Sequence, residues 1–397
     1  MARSSKLPGD RPNEMLIAFS IFKYFPYGGI QRDFARMAQL CVERGHVVRV
    51  YCLLWKALPM EGMDVVVVPA KALSNHTRYA RFADWVATDL ESRPVDLHMG
   101  MNKMPGLDAY FAGDSCFEDK TRNQRAWIYR LTPRYRLFSR FEKAVFSVLN
   151  NTRILSISNA QNALYQQYHH TPDARFYPLP PGINRDRIAP DNRPEIRAEL
   201  YRELDIADHC QVMLFIGSGF VKKGLDRVIL GLHALPEKVR ENTILLVLGA
   251  DKPEKFARMA SSFGLDNQVR ILGGRDDVPR FLFSADCFVL PAYDENTGGV
   301  IVEAMVARLP VLVSANCGYA SYVADANAGL LVKDPFDQID FNTKLLEILT
   351  STERGVWSEN GRKFSERDDI YEMIPRAVEY LESFAEEIAA LKMRSIP

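Results

Sequence analysis

The chain has 397 residues, 47% apolar and 25% charged, with 50 Lys and Arg against 50 Asp and Glu. That length suits two or three domains, and that balance excludes bulk disorder and a strongly basic nucleic-acid binder. The neutral total is a sum of opposed halves: residues 1–190 carry 26 basic and 17 acidic side chains, net +9, and residues 191–397 carry 24 and 33, net −9.

In chain order, residues 1–14 (MARSSKLPGDRPNE) lack an apolar core, so they read as a disordered leader and not a signal peptide. Short β-rich runs then alternate with helical stretches. Strands are predicted at Met15–Phe22, Val47–Leu54, Val65–Pro69, Val95–Met99, Ala109–Ala112 and Ile154–Ser158. Helices fall between them at Ile30–Glu43, Arg78–Leu90, Pro133–Val148 and Asn159–His169. The second half repeats the scheme, with strands at Val212–Ile216, Ile244–Leu248, Val269–Leu272, Cys287–Leu290 and Pro310–Val313. Its helices are predicted at Leu225–Leu235, Glu254–Phe263, Val278–Ala285, Val300–Ala307 and Phe341–Leu349. Such alternation predicts an α/β protein with parallel sheets covered by helices on both faces. The Pro-rich stretch Pro178–Glu195 marks the break between two doubly wound, Rossmann-like domains, 15–180 and 181–370. Residues 371–397 form a last helix expected to pack back on the first domain. Ligands of such sheets bind at the carboxyl ends of the strands, so a cleft between the domains is the expected site.

No run of eighteen apolar residues occurs. Cys41, Cys52, Cys116, Cys210, Cys287 and Cys317 contain no Cys-x-x-Cys pair, which argues against zinc and fits a reduced, cytoplasmic setting. His46 and the His169-His170 pair read as structural or solvated.

Three strand-to-helix turns carry candidate chemistry. Gly28 and Gly29 open the helix after the first strand, where a ligand can approach the backbone and the helix start favours an anion. Gly217-Ser218-Gly219, followed by Lys222 and Lys223, opens the second domain in the same way and suits a diphosphate, with Arg187 as a third positive group. Asp294-Glu295-Asn296-Thr297-Gly298-Gly299 follows a buried strand and leads into a helix bearing Glu303. A carboxylate there can accept both hydrogen bonds of a ribose diol. Asp114, Asp33 and Lys103 form a further polar set in the first domain, where a carboxylate could orient or deprotonate a sugar hydroxyl. No Asp-x-Asp occurs, so a metal-bound diphosphate site of that type is not indicated. Lys120–Arg140 holds seven basic residues and no acid, interleaved with Trp127, Tyr129, Tyr135 and Phe138. That pattern suits an anionic membrane surface, and no nucleic-acid module accompanies it.

Taken together, these motifs resemble the retaining GT-B glycosyltransferases of family 4. The strings FKYFPYGGIQRDF, NKMPGLD, LPPGI, GSGF with KKGLDR, and ENTGG leading to CGYASYVADA resemble the lipopolysaccharide inner-core glucosyltransferases of that family. The likeness runs from about Met15 to Tyr380. It implies transfer of a hexose, glucose as the first choice, from a UDP-sugar to a heptose of the lipid A–core acceptor, with no metal or other cofactor. The resemblance implies that Glu303 holds the ribose and that Lys223, Arg187 and Lys222 neutralise the diphosphate. Glu295 with Asn296–Gly298 would meet the hexose, Gly28 and Gly29 the phosphate, and Arg275 the uracil. Asp114 would stand beside the acceptor hydroxyl, with Asp33 and Lys103 nearby. The enzyme would sit peripherally on the cytoplasmic face of the inner membrane, held through Lys120–Arg140. Two other readings stay open. A nicotinamide-dependent oxidoreductase would have Asp251 as its ribose acid, since Tyr51-Cys52 fill that place in the first domain. That reading leaves Glu295 and Glu303 unexplained, and a non-catalytic membrane adaptor would bind lipid with no donor turnover.

Overall fold

The computed structural model describes residues 14–25, 29–58 and 60–394. It divides into two compact units: the chain up to Pro180 together with the segment from Glu372 onward, and Pro181–Tyr371. In the first unit β1 (Leu16–Tyr24), β2 (Val47–Trp55), β3 (Met63–Val67), β4 (Leu97–Gly100), β5 (Ala109–Phe111), β6 (Arg153–Ser156) and β7 (Phe176–Pro178) form one parallel sheet. Their order is β3-β2-β1-β4-β5-β6-β7. β1 reads LIAFSIFKY and is buried on both faces, as a central strand covered by helices on each side must be. Edge strand β3 instead exposes Asp64. Local chemistry sets the helix starts. Ser74 accepts a hydrogen bond from Thr77 N at the head of helix Asn75–Ser92, and Thr132 accepts from Tyr135 N ahead of Pro133 in helix Pro133–Phe146.

The last helix, Met373–Arg394, belongs to this unit. Ile374, Ala377, Val378, Leu381 and Phe384 recur at helical spacing and join the core of β1 and β2. Glu382 ties it to Arg44 (2.6 Å) and His46 (2.9 Å), and Glu387 ties it to Arg153 (2.7 Å).

In the second unit β8 (Gln211–Ile216), β9 (Thr243–Leu248), β10 (Val269–Gly273), β11 (Cys287–Leu290), β12 (Val311–Ser314) and β13 (Gly329–Val332) form a parallel sheet ordered β10-β9-β8-β11-β12-β13. Both sheets reverse strand order beside their first strand, between β1 and β4 and between β8 and β11. Strands β7 and β13 are missing from the sequence reading: three or four residues carry too little pattern. Helix Arg193–Glu203 begins inside the stretch read as a break, because Pro194 fits the first helical turn. Helices Phe117–Gln124, Ala320–Ala326 and Arg354–Ser365 also went unread. The six cysteines are unpaired thiols, five of them buried.

Candidate functional site

In the second unit the turns singled out in the sequence lie at the carboxyl ends of the strands and straddle the point where strand order reverses. After β8 the chain makes a Gly-rich loop in which Gly217, Gly219 and Gly224 all take positive φ. A side chain on Gly217 would lie 2.5 Å from the Lys223 stem, so only glycine lets Lys223 fold over the loop. A side chain on Gly224 would strike the Pro291 carbonyl at 2.1 Å. Tyr293 N donates to Lys222 O (2.8 Å), and Arg227 donates to the carbonyls of Pro291 (3.0 Å) and Ala292 (3.1 Å). The loops after β8 and β11 are thereby locked together.

That lock brings both lysines to the acidic turn. Lys223 Nζ donates to Glu295 Oε2 at 2.6 Å, and Lys222 Nζ lies 3.4 Å from Asp294 Oδ2. The Lys223–Glu295 pair is largely shielded (17% and 14% exposed), whereas Lys222 is 45% exposed. Beside them Gly298, in the left-handed region at φ 79°, starts the helix Gly299–Val306. Glu303, one turn along, accepts from Arg187 Nε at 3.1 Å, and Arg187 also reaches Asp186 at 2.7 Å. Arg187 is 93% buried as a residue, its relative exposure being 7%. The structure therefore gathers Arg187, Lys222, Lys223, Gly217, Glu295, Asn296, Thr297, Gly298 and Glu303 in one region.

The acidic turn is held from behind by main chain. Gly318 N donates to Glu295 O (3.1 Å) and Tyr319 N to Thr297 O (2.8 Å). A Cβ on Gly318 would sit 1.9 Å from Asn296 O. Gly318→Ala is therefore expected to push the 295–298 turn away from Lys223, at a cost of about 1–3 kcal/mol for overpacking. Melting temperature and transfer rate measured together test this: both should fall, and an unchanged rate would count against the turn's role. The sequence string CGYASY contained this glycine, but nothing local said what it touches.

Two further residues named from the sequence have local partners. Arg275, at the end of β10, is engaged in a bidentate pair with Asp277 (both contacts 2.8 Å). Asp251, the acid needed by an oxidoreductase, accepts from Phe220 N (2.8 Å) and so braces the Gly-rich loop. Its carboxyl is held below the usual range by the backbone N–H groups of Lys252 and Phe220.

In the first unit, Gly28 lies outside the described residues, and Gly29 begins the helix Gly29–Glu43. An added Cβ on Gly113 would come 3.0 Å from the Ile30 side chain, so the loop after β5 abuts the first turn of helix Gly29–Glu43. Asp114 lies in the latter loop, and burial pushes its carboxyl up while Lys103 opposes the rise. Asp33 is also raised, to about 6, by burial, against the pull of Arg36 and Arg32 from its own helix.

Lys103, expected to meet an acceptor, instead donates to Glu142 Oε2 (2.6 Å) and Ser115 O (2.8 Å). Its side chain is 10% exposed. Glu142, fully buried, also accepts from Phe117 N (2.6 Å), Glu118 N (2.9 Å) and His169 Nε2 (2.9 Å). Lys103 and these hydrogen bonds outweigh burial and hold the Glu142 carboxyl down at about 2. Cys116 Sγ, Glu142 and His169 lie close enough to share a cation. The ammonium on Glu142 and its backbone donors already saturate the carboxylate, so this cluster is a structural hub. It was invisible in sequence because its members lie 24 to 39 residues from Glu142.

The basic segment is rebuilt by folding. Tyr135 donates to Glu118 (3.0 Å), and Phe138 packs on Phe117 and Tyr79, so these aromatics serve the interior. The surface group is Trp127 (73% exposed), Ile128 (60%) and Leu131 (59%) on one 3-10 turn. Arg125, Arg134 and Arg136 are exposed around it. Among the described residues no helix is long and apolar enough to cross a membrane.

Residues 197–364 match the family model described as glycosyl transferases group 1. The chain is 41% identical over 369 residues to the lipopolysaccharide glucosyltransferase WaaG of Escherichia coli (strain K12), covering 92% of this chain and 98% of that protein. The crystal structure of WaaG, described as a glycosyltransferase involved in lipopolysaccharide biosynthesis, superposes with a TM-score of 0.86 at 40% identity, over 92% of this chain and 99% of that one. A likeness of fold extends to Anabaena Alr3699/HepE in complex with UDP-glucose, with a TM-score of 0.71 at 19% identity over 93% and 100%.

Proposed function

Because the chain belongs to the group 1 glycosyltransferases and has their GT-B type of fold, we propose that it is a retaining hexosyltransferase. It moves glucose from UDP-glucose to a heptose of the lipopolysaccharide inner core. The observation that carries this reading is the pairing of Lys222 and Lys223 with Asp294 and Glu295 across the strand-order reversal, with Arg187 and Glu303 alongside. The ion pairs position three cations, of which Lys223 and Arg187 are shielded from solvent and Lys222 is not. An incoming diphosphate takes over their charge, and Glu303 and Glu295 are then available to sugar hydroxyls.

In the transfer, the bond from the anomeric carbon to the diphosphate oxygen breaks as the acceptor hydroxyl forms its bond on the same face. Negative charge builds on the leaving diphosphate, and preoriented Lys223 and Arg187 stabilise it more in the transition state than before. We assign charge neutralisation to these side chains without a metal, and the hydroxyl proton to the departing phosphate oxygen. Asp114 and Asp33 are assigned to the acceptor, and Arg275 to the border of the base. The hexose is selected by the polar groups of Glu295–Gly298, since one misplaced hydroxyl leaves a buried donor or acceptor unpaired. The test is a donor screen on a core acceptor lacking its outer hexose, using UDP-glucose, UDP-galactose and their amino derivatives in the presence of EDTA. UDP-glucose should lead. Failure of every donor would sink the reading.

The exposed Trp127, Ile128 and Leu131 among arginines seat the enzyme peripherally on an anionic membrane, the cytoplasmic face in this proposal. A Trp127→Ala/Ile128→Ser/Leu131→Ser variant should bind anionic vesicles at least about tenfold more weakly, because burying each apolar side chain is worth roughly 1.5–3 kcal/mol. Equal binding by variant and parent in a sedimentation assay would remove this turn from the contact.

A further inference from the structure

At the opposite end of the second sheet from Lys223 and Glu295, where β11 and β12 begin, lies an open concavity of about 590 Å³. Four arginines line it: Arg193 and Arg197 from helix Arg193–Glu203, Arg308 just before β12, and Arg354 at the head of helix Arg354–Ser365. We propose that this concavity is a binding site for a compact phosphate-type anion, separate from the donor site.

Charge is the first argument. Arg197 (2.9 Å) and Arg354 (3.1 Å) share the single carboxylate of Asp286. Among the described residues Arg193 donates to the main-chain carbonyls of Phe283 (2.6 Å) and Ala285 (3.0 Å) and to no carboxylate. Arg308 lies 3.7 Å from Glu359, which also pairs with Arg362. Among the described residues two carboxylates, one of them shared with Arg362, lie within ion-pair distance of any of these four guanidinium groups, so at least half of the positive charge is unmatched. Burial, and then Arg308, lower the Arg193 pKa to about 10, as an uncompensated cationic neighbour should. Guanidinium groups are the usual partners of phosphate because their donors match its oxygens in pairs.

Arg308 supplies an independent argument. Helix Gly299–Val306 closes with Arg308 N on Met305 O and Leu309 N on Ala304 O, both 2.9 Å. The residue after such a helix end takes a left-handed conformation and is ordinarily glycine or asparagine. Here an arginine takes it, at φ 66°, although left-handed backbone is unfavourable for a side chain of this kind. Its Nε is shielded from solvent and has no hydrogen-bond partner among the described residues. An arginine held in strained backbone on the wall of a positively charged hollow is what an anion site needs and what helix termination alone does not.

The lining contains no aromatic ring on which a base could stack, which favours a phosphate or diphosphate group over a nucleoside. The test uses inorganic pyrophosphate and isothermal titration of the full chain in a Lys223→Ala background, which weakens any binding at the donor loop. Pyrophosphate should still bind, more weakly at high salt. Adding Arg308→Asn should raise its dissociation constant about tenfold, the loss expected for one charge-assisted contact, with the melting temperature unchanged or higher because asparagine accepts this backbone. Arg354→Gln should weaken binding in the same direction. Binding unaffected by both changes, or no binding in the Lys223→Ala background, overturns the proposal. Competition by phosphatidic acid vesicles supports a lipid headgroup as the source of the phosphate, and its lack supports a free one.

Discussion

Replacing Lys223 with alanine should lower the transfer rate at least about 30-fold, equivalent to about 2 kcal/mol of transition-state stabilisation, and removal of a preoriented charge from such a site reaches 10²- to 10³-fold. Lys223 is the shielded member of the lysine pair, folded over Gly217 and already neutralised by Glu295 at 2.6 Å. Its position is set before any ligand arrives, so little freedom is lost on binding. The loss should appear mainly in kcat, because leaving-group charge grows as the bond breaks. Glu303→Ala should be similarly severe but through binding. It removes the acceptor pair proposed for the ribose and leaves the buried Arg187 with only Asp186, at 2.7 Å. Lys222→Ala serves as the internal comparison. At 45% exposure and 3.4 Å from Asp294, its charge is screened by water, and a loss under tenfold is expected. Steady-state kinetics on the three variants decide the matter. Values of kcat/KM within threefold of the parent would refute the placement of the diphosphate for Lys223→Ala and of the ribose for Glu303→Ala.

The largest stability effect is expected at Glu142. Glu142→Ala leaves the Lys103 ammonium buried and unpaired and takes the acceptor from Phe117 N, Glu118 N and His169. Breaking a buried pair from one side costs about 3–5 kcal/mol, or a fall of roughly 6–20 °C in melting temperature for a unit of this size. An unchanged melting temperature would show that the hub is dispensable. The pH dependence has a definite sign. The Glu142 carboxyl is held at about 2 in the folded chain, against 4.5 as its ordinary value. Its stabilisation is thus fully present above about pH 4.5 and is lost as pH falls toward 2. About 3 kcal/mol is at stake. Denaturant midpoints measured from pH 6 to pH 3 should fall more steeply for the parent than for Glu142→Gln, in which nothing titrates at that position. Parallel curves would remove Glu142 as the titrating group.

Much of the donor region was legible because its signals are local. Glycine at a strand-to-helix turn, lysines directly behind it, and a Glu-Asn-Thr-Gly-Gly turn with Glu303 one helical turn on are all read within a dozen residues. The first unit was less legible. Lys103 has the sequence context of a ligand-binding lysine, yet its ammonium faces Glu142, 39 residues away. Tyr135 and Phe138 have the look of a surface aromatic set, yet they pack inward, while Ile128 and Leu131, unremarked in the string, lie exposed.

The sequence by itself determined the alternation of strand and helix, the α/β class, the family and the identity of the donor-side turns. Each of these depends on periodicity, backbone freedom or short-range spacing. Tertiary structure alone decided which residues pair across long separations: Arg187 with Glu303, 116 residues apart, Lys223 with Glu295, 72 apart, and Gly318 against Asn296. It also decided that four arginines scattered from 193 to 354 share one hollow. The physical reason is that burial and close packing choose among partners that no local pattern can distinguish, and a charge is functional or structural only according to which partner that packing supplies.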